Sequence, residues 1–160
     1  MRIAIVSDTH SRTATIQQTL AVIAQRRIKL IIHCGDIEVD DAVRLFPAHT
    51  HFVFGNCDWD RDAIRTAIER TGATLHEPFG HLEIAGKALG FVHGDDKTLL
   101  HDLIAAETFD YIFHGHTHIA RDERVGRTRV INPGALHRAR PKTFVILDVA
   151  TGMAETVEIP

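Results

Sequence analysis

Short apolar runs in this chain end abruptly in clusters of Asp, Asn and His, and that recurrence limits the possible folds more than any other feature. The opening run Met1 to Ser7 gives way to Asp8-Thr-His10, Lys29 to His33 to Gly35-Asp36, and His51 to Phe54 to Gly55-Asn-Cys-Asp58. Each run is short enough to read as a buried strand rather than a buried helix. Between them the apolar period changes. Ile16, Leu20 and Ile23 recur at helical spacing within Thr13 to Arg27, Val39 to Phe46 reads as a short helix stopped by Pro47, and Ala63, Ile64, Ala67 and Ile68 mark a helix closed near Gly72. Strand followed by helix, repeated in this way, predicts an α/β sheet that is parallel at its start.

The second half has a different rhythm. His81 to Ala85 and Ala88 to Val92 flank Gly86-Lys87 as a hairpin would, and the hairpin delivers His93-Gly-Asp95. Leu99, Leu100, Leu103 and Ile104 mark one more helix, and Tyr111 to Phe113 is a strand running into His114-Gly-His-Thr-His118. A second hairpin joins Glu123-Arg-Val125 to Thr128-Arg-Val-Ile131, and Thr143 to Val149 and Ala154 to Ile159 supply two closing strands. The expected architecture is α/β, with two mixed sheets packed face to face and helices outside, a four-layer αββα sandwich. No repeat, linker or composition shift divides the chain, so residues 1–160 are expected to form one domain.

Composition excludes several classes. A net charge of -3 with 44% apolar residues describes an ordinary globular chain, long enough to fold without disulfides or a structural metal. No apolar run approaches the roughly 20 residues of a membrane span, and Ser7 and Asp8 interrupt the apolar start that a secretory signal needs. With only two cysteines, Cys34 and Cys57, the expected compartment is the cytoplasm. The negative charge also argues against a nucleic-acid partner, although Arg121 to Lys142 is rich in arginine, a stretch read here as a solvated face. Twelve histidines are the unusual number, and imidazole is the commonest metal ligand.

The strand-end residues lie where α/β sheets gather ligands, at the carboxyl edge of the strands. In order they read Asp-x-His, Gly-Asp, Gly-Asn-x-Asp, His-Gly-Asp and Gly-His-x-His across residues 8–118, a series that resembles the calcineurin-like metallophosphoesterase superfamily. The short chain, Gly55-Asn-Cys-Asp58 and Asn132-Pro-Gly134 make it most similar to the small bacterial and archaeal phosphodiesterases related to a retromer scaffold subunit. That resemblance implies two divalent ions. Asp8, His10, Asp36 and His118 would hold one, and Asp36, Asn56, His93 and His116 the other, with Asp36 shared. Mixed nitrogen and oxygen donors favour transition ions over magnesium or calcium. Manganese is expected first, with nickel, iron, cobalt or zinc as alternatives. The implied reaction is in-line attack on a small or nucleotide-like phosphodiester by a metal-bridging hydroxide.

Asn56, Cys57 and Asp58 form the candidate catalytic triplet. Many superfamily members carry His after the Asn to protonate the leaving group, and here that residue is Cys57. Nearby cations would favour its thiolate, which places general acid catalysis in question. Asp58 is expected to orient Asn56 or its loop. His33, His49, His51, His76, His81, His101 and His137 are assigned structural roles, while His114 is left open. The alternatives are a phosphomonoesterase and a metal-binding protein-interaction scaffold. Association into a dimer or tetramer is implied only by resemblance.

Overall fold

The computed structural model describes residues 1–160. Two sheets form, one of six strands in the order β11-β10-β1-β2-β3-β4 and one of five in the order β5-β6-β7-β9-β8. In the first, β1 (Arg2–Val6), β2 (Ile31–His33), β3 (Thr50–Phe52) and β4 (Thr74–Leu75) run parallel. The strands β10 (Lys142–Asp148) and β11 (Ala154–Ile159) complete it antiparallel on the other side of β1. In the second, β6 (Lys87–Val92), β7 (Tyr111–Phe113) and β9 (Thr128–Asn132) are parallel, with β5 (Phe79–Ile84) and β8 (Arg121–Val125) antiparallel at the edges.

The two-residue period of the strands divides the apolar residues of the first sheet between two cores. Ile3, Ile5, Ile32, Val145 and Leu147 face inward and meet Leu89, Phe91, Tyr111, Phe113 and Ile131 of the second sheet. Their neighbours Ala4, Val6, Ile31, Phe144 and Ile146 face outward, against Ile16 and Ile23 of α1 (Thr13–Gln25), Val43 of α2 (Asp40–Val43) and Ile64 and Ile68 of α3 (Arg61–Thr71). Strands buried on both faces therefore read as continuous apolar runs. The fourth helix, α4 (Lys97–Ala105), has no fully buried residue.

Local chemistry sets the helix ends. Asp60 accepts from the Ala63 amide at 3.1 Å to begin α3, which Gly72 closes with a left-handed φ of 74°. Asp96 accepts from Leu99 at 3.0 Å to begin α4. Two local expectations change. The helix expected over Val39 to Phe46 is confined to Asp40–Val43, because the chain turns at Arg44 and drives Phe46 into the core ahead of Pro47. Strand β4, only Thr74–Leu75, extends the parallel sheet beyond β3 where no strand was expected.

Candidate metal centre

Parallel strands bring the carboxyl ends of β1, β2 and β3 to one edge of the first sheet and those of β6, β7 and β9 to one edge of the second. Backbone hydrogen bonds then join the loops that follow. Asp8 donates to the Gly35 carbonyl at 3.1 Å, His10 to that of Asp36 at 3.0 Å, and Gly115 to that of His93 at 2.8 Å. Other bonds cross between the sheets: the His116 amide donates to Asp8 Oδ2 at 3.1 Å, and His93 Nδ1 lies 2.8 Å from the Cys34 carbonyl. Close approach requires glycine at Gly115, where a Cβ would collide with Ser7 and the Asp8 carboxylate, and at Gly55, where it would strike Asp36.

These loops gather every residue proposed from sequence as a metal ligand. Asp8, His10 and His118 present ligand atoms within 4.8 Å of one another, as do Asp8, Asp36 and His93. Asp36 Oδ2 stands 3.6 Å from His10 Nε2 and 3.5 Å from His93 Nε2, between two groups of donors. Asn56 Oδ1 lies 3.0 Å from both His93 Nε2 and His116 Nδ1. Cys57 joins the cluster from an unexpected direction, because its thiol lies with His10 and Asp36 in a third group of possible ligands.

The electrostatics are those of an acceptor-rich site. His118 Nε2 is 3.2 Å from Asp8 Oδ1, but not in hydrogen-bonding orientation. Asp8 Oδ1 and His10 Nε2 are both buried with no hydrogen-bond partner. An orphaned buried carboxylate oxygen costs of order 1–3 kcal/mol or more, so this arrangement calls for a cation. Burial opposes ionisation of Asp36, but hydrogen bonding and charge from His93 outweigh it and hold the carboxyl well below the usual range. Burial likewise opposes protonation of His93, and Asp36 overcomes it, raising that pKa to about 9. His118 is raised chiefly by its proximity to Asp8. Cys57 is pushed up to about 11, first by burial and then by the Asp36 charge. The donors fit a divalent transition ion: they mix imidazole nitrogen with carboxylate and amide oxygen, and two of them have no other partner.

Asp58 faces away from the cluster. Its carboxylate accepts from the amides of Gly55 at 2.6 Å, Asp36 at 3.1 Å and Glu38 at 2.6 Å, tying the loops after β2 and β3 together. Asn132, given no role from sequence, does the same on the other sheet: it donates to the Gly115 carbonyl at 2.8 Å and Thr117 Oγ1 at 3.0 Å. The only sign of this in the sequence is its place before Pro133-Gly134 at a strand end. His33 is buried, with Nε2 3.1 Å from Thr9 Oγ1 and Nδ1 accepting from the Gly35 amide at 3.2 Å. His51 and His76 meet at 2.9 Å, well outside the donor groups. His114 is buried beside Asn132 and belongs to none of these groups.

Known proteins share this sequence pattern and fold. The model of the calcineurin-like phosphoesterase superfamily domain matches residues 1–152. A probable metallophosphoesterase of Bacillus subtilis is 33% identical over 146 residues, covering 88% of this chain and 78% of the relative. A phosphodiesterase of Methanocaldococcus jannaschii is 28% identical over 138 residues, covering 84% and 83%. Among solved structures, an archaeal phosphodiesterase superposes with a TM-score of 0.92 at 25% identity, over 99% of this chain and 100% of that one. The fold extends to vacuolar protein sorting 29 of Cryptosporidium parvum, with a TM-score of 0.68 at 16% identity over 99% and 96%. The chain belongs to the calcineurin-like phosphoesterase superfamily.

Proposed function

We propose that the chain is a binuclear metal-dependent phosphodiesterase acting on a small or nucleotide-like phosphodiester, built as one domain over residues 1–160. The observation that carries this reading is the pair of buried, unpartnered donors, Asp8 Oδ1 and His10 Nε2, in a cluster with Asp36 at its middle. Asp8, His10, Asp36 and His118 would hold one cation, and Asp36, Asn56, His93 and His116 the other. Manganese is the first candidate, ahead of nickel, iron, cobalt and zinc. When bound, such cations supply Lewis acidity toward a phosphoryl oxygen and lower the pKa of water to about 7 for in-line attack.

The chain's own residues do the rest. Asp58 fixes the loops that present Asp36 and Asn56, and the Cys57 amide orients Asp36 by donating to its Oδ1 at 2.8 Å. The Cys57 thiol is a poor proton donor in either setting: burial and then the neighbouring carboxylates hold its proton, with a pKa of about 11, and adjacent cations would strip it away. A leaving group that needs no proton is therefore favoured, which points to aryl or similarly acidic substituents. Two divalent ions offset by Asp8, Asp36 and the attacking hydroxide would leave a charge of about +1, which suits a diester monoanion better than a monoester dianion. Orphaned donors argue against a purely scaffolding role, since a surface that only docks partners gains nothing from them. Both cysteines are free thiols, consistent with a cytoplasmic protein.

Stripping the protein with chelator, restoring single metals and assaying bis(4-nitrophenyl) phosphate against 4-nitrophenyl phosphate tests the reading. Diester cleavage is expected to return with metal in the wild type and to stay at least 100-fold lower in Asp36→Ala. Equal activity of the stripped protein, the loaded protein and the variant would overturn it, and faster monoester cleavage would assign the site to phosphomonoesters.

A further inference from the structure

Two clefts adjoin the donor cluster, one lined by His93 and one by His118, and they differ in charge. The His93 cleft, about 210 Å³, is walled by Phe54, Pro78 and Leu99 and carries Asp95 and Asp96. Its one arginine, Arg61, already lies over the Phe54 ring at 5.0 Å. The His118 groove is larger, about 430 Å³, and is bordered by Ile119, Arg138, Arg140 and Thr143 with no carboxylate among its walls.

The arginines of this groove differ from those of the neighbouring hairpin, where all but the exposed Arg127 have a partner for the side chain. Arg121 pairs with Glu123, Arg129 with Asp122, and Arg124 donates to the Arg127 carbonyl. Arg138 and Arg140 are exposed and make no ion pair or side-chain hydrogen bond. Arg138 also adopts a left-handed φ of 50°, a conformation that costs a non-glycine residue free energy and that clusters at binding sites. A third cation borders the same side: Arg12 donates to His137 Nδ1 at 3.1 Å, and the His137 ring is 5.1 Å from that of His10. Unpaired guanidinium groups beside a low-dielectric wall focus a positive potential into the groove.

We propose that this groove recognises a second phosphate on the substrate, making the preferred substrate a phosphodiester one of whose substituents ends in a phosphate, with Arg138 and Arg140 as its specificity-determining residues. This rests on the phosphodiesterase reading above. The planar guanidinium fork matches phosphate oxygens in a bidentate way, which a lysine ammonium does not. Ile119, 70% exposed at the groove wall, offers apolar surface to the carbon framework between the two phosphates. The other cleft is the wrong place for such a group, because Asp95 and Asp96 repel it. The two clefts therefore sort the substituents of the diester, with the phosphorylated one beside His118.

The test compares thymidine 5′-(4-nitrophenyl) phosphate with its 3′-phosphorylated form, in the wild type and in R138A/R140A. The ratio of their kcat/KM values is read within each protein, so any general loss of turnover cancels. A wild-type preference for the 3′-phosphorylated ester of about tenfold or more is expected, as charged hydrogen bonds to phosphate provide, falling to about one in the double variant. A ratio near one in the wild type, or an unchanged preference in R138A/R140A, overturns the proposal. Calorimetric binding of thymidine 3′,5′-bisphosphate against thymidine 5′-monophosphate reads the same preference without turnover. Tighter binding of the bisphosphate that disappears in R138A/R140A supports the groove even if bis(4-nitrophenyl) phosphate is not cleaved, and equal wild-type affinities sink it even if that ester is cleaved.

Discussion

Asp8, His10, Asp36, His116 and His118 have φ values of 53°, 42°, 58°, 65° and 60°, all in the left-handed region, which is uncommon for non-glycine residues although Asp and His enter it more readily than most. Strain on this scale costs of order 1–3 kcal/mol per residue and persists only where the surroundings enforce it. Here the inter-loop hydrogen bonds enforce it, and the result is a set of donors aimed at one another. His116 gives a clean test. His116→Ala and His116→Gly both delete the imidazole, but only glycine relieves the backbone. In metal-free urea unfolding His116→Gly is expected to be about 1 kcal/mol more stable than His116→Ala; equal stabilities would show that the backbone is not strained. Cys57 raises a second question at this scale. Cys57→His places a proton donor next to Asn56, and turnover of alkyl diesters, whose leaving groups need a proton, is expected to rise by about 10²-fold while aryl diesters change little. An unchanged alkyl-to-aryl ratio would remove the account of Cys57 given above.

The loops behave as elements because a few buried acceptors tie them together. Asp58 alone serves three backbone amides from two loops, and burial raises its pKa against the lowering effect of those bonds, with Gly55 foremost among them. Asp58→Ala is expected to lower stability by about 3 kcal/mol and to weaken metal binding, whereas Asp60→Ala, which removes only the α3 cap, costs about 1 kcal/mol. Urea unfolding and metal titration of both variants check this; equal losses would reduce Asp58 to an ordinary cap. Sequence patterns made most of these elements readable, since apolar runs and helical spacing are local properties. Val39 to Phe46 went astray because Phe46 answers to a tertiary contact, its ring meeting that of Phe52 at 5.5 Å, and not to the helical period that Leu45 and Phe46 mimic. Thr74–Leu75 is too short to show alternation and is a strand only because β3 lies beside it. The donor residues were legible because each ends a strand. The left-handed backbone that aims them depends on contacts between loops distant in sequence and leaves no local mark, whereas the loop-orienting role expected of Asp58 from its motif matches its three bonds to backbone amides.

On the scale of the molecule, two apolar cores on either side of the six-stranded sheet leave the donor edge as the place where buried polar groups collect. His33 sits just behind it. Burial depresses its pKa to about 3, below the 6.5 of an ordinary imidazole. The unfolded chain then takes up a proton that the folded one refuses, so stability present above about pH 6.5 is lost as pH falls toward 3. His51, His76 and His114, all lowered chiefly by burial, add to the same slope. His93 and His118 are shifted upward, so the stability they contribute is present below the ordinary imidazole pKa and adds nothing to this loss. Urea unfolding at pH 6.5 and 5 is expected to show a smaller loss for His33→Gln than for the wild type, by about 2 kcal/mol; identical slopes would mean that His33 is not held neutral.

Anomalous diffraction from crystals grown with manganese bears most directly on the central idea, that distant strand ends converge on a pair of cations. Two strong manganese peaks are expected on either side of the Asp36 carboxylate, one beside Asp8, His10 and His118 and the other beside Asn56, His93 and His116. Crystals saturated with manganese that show no peak between these side chains would contradict it.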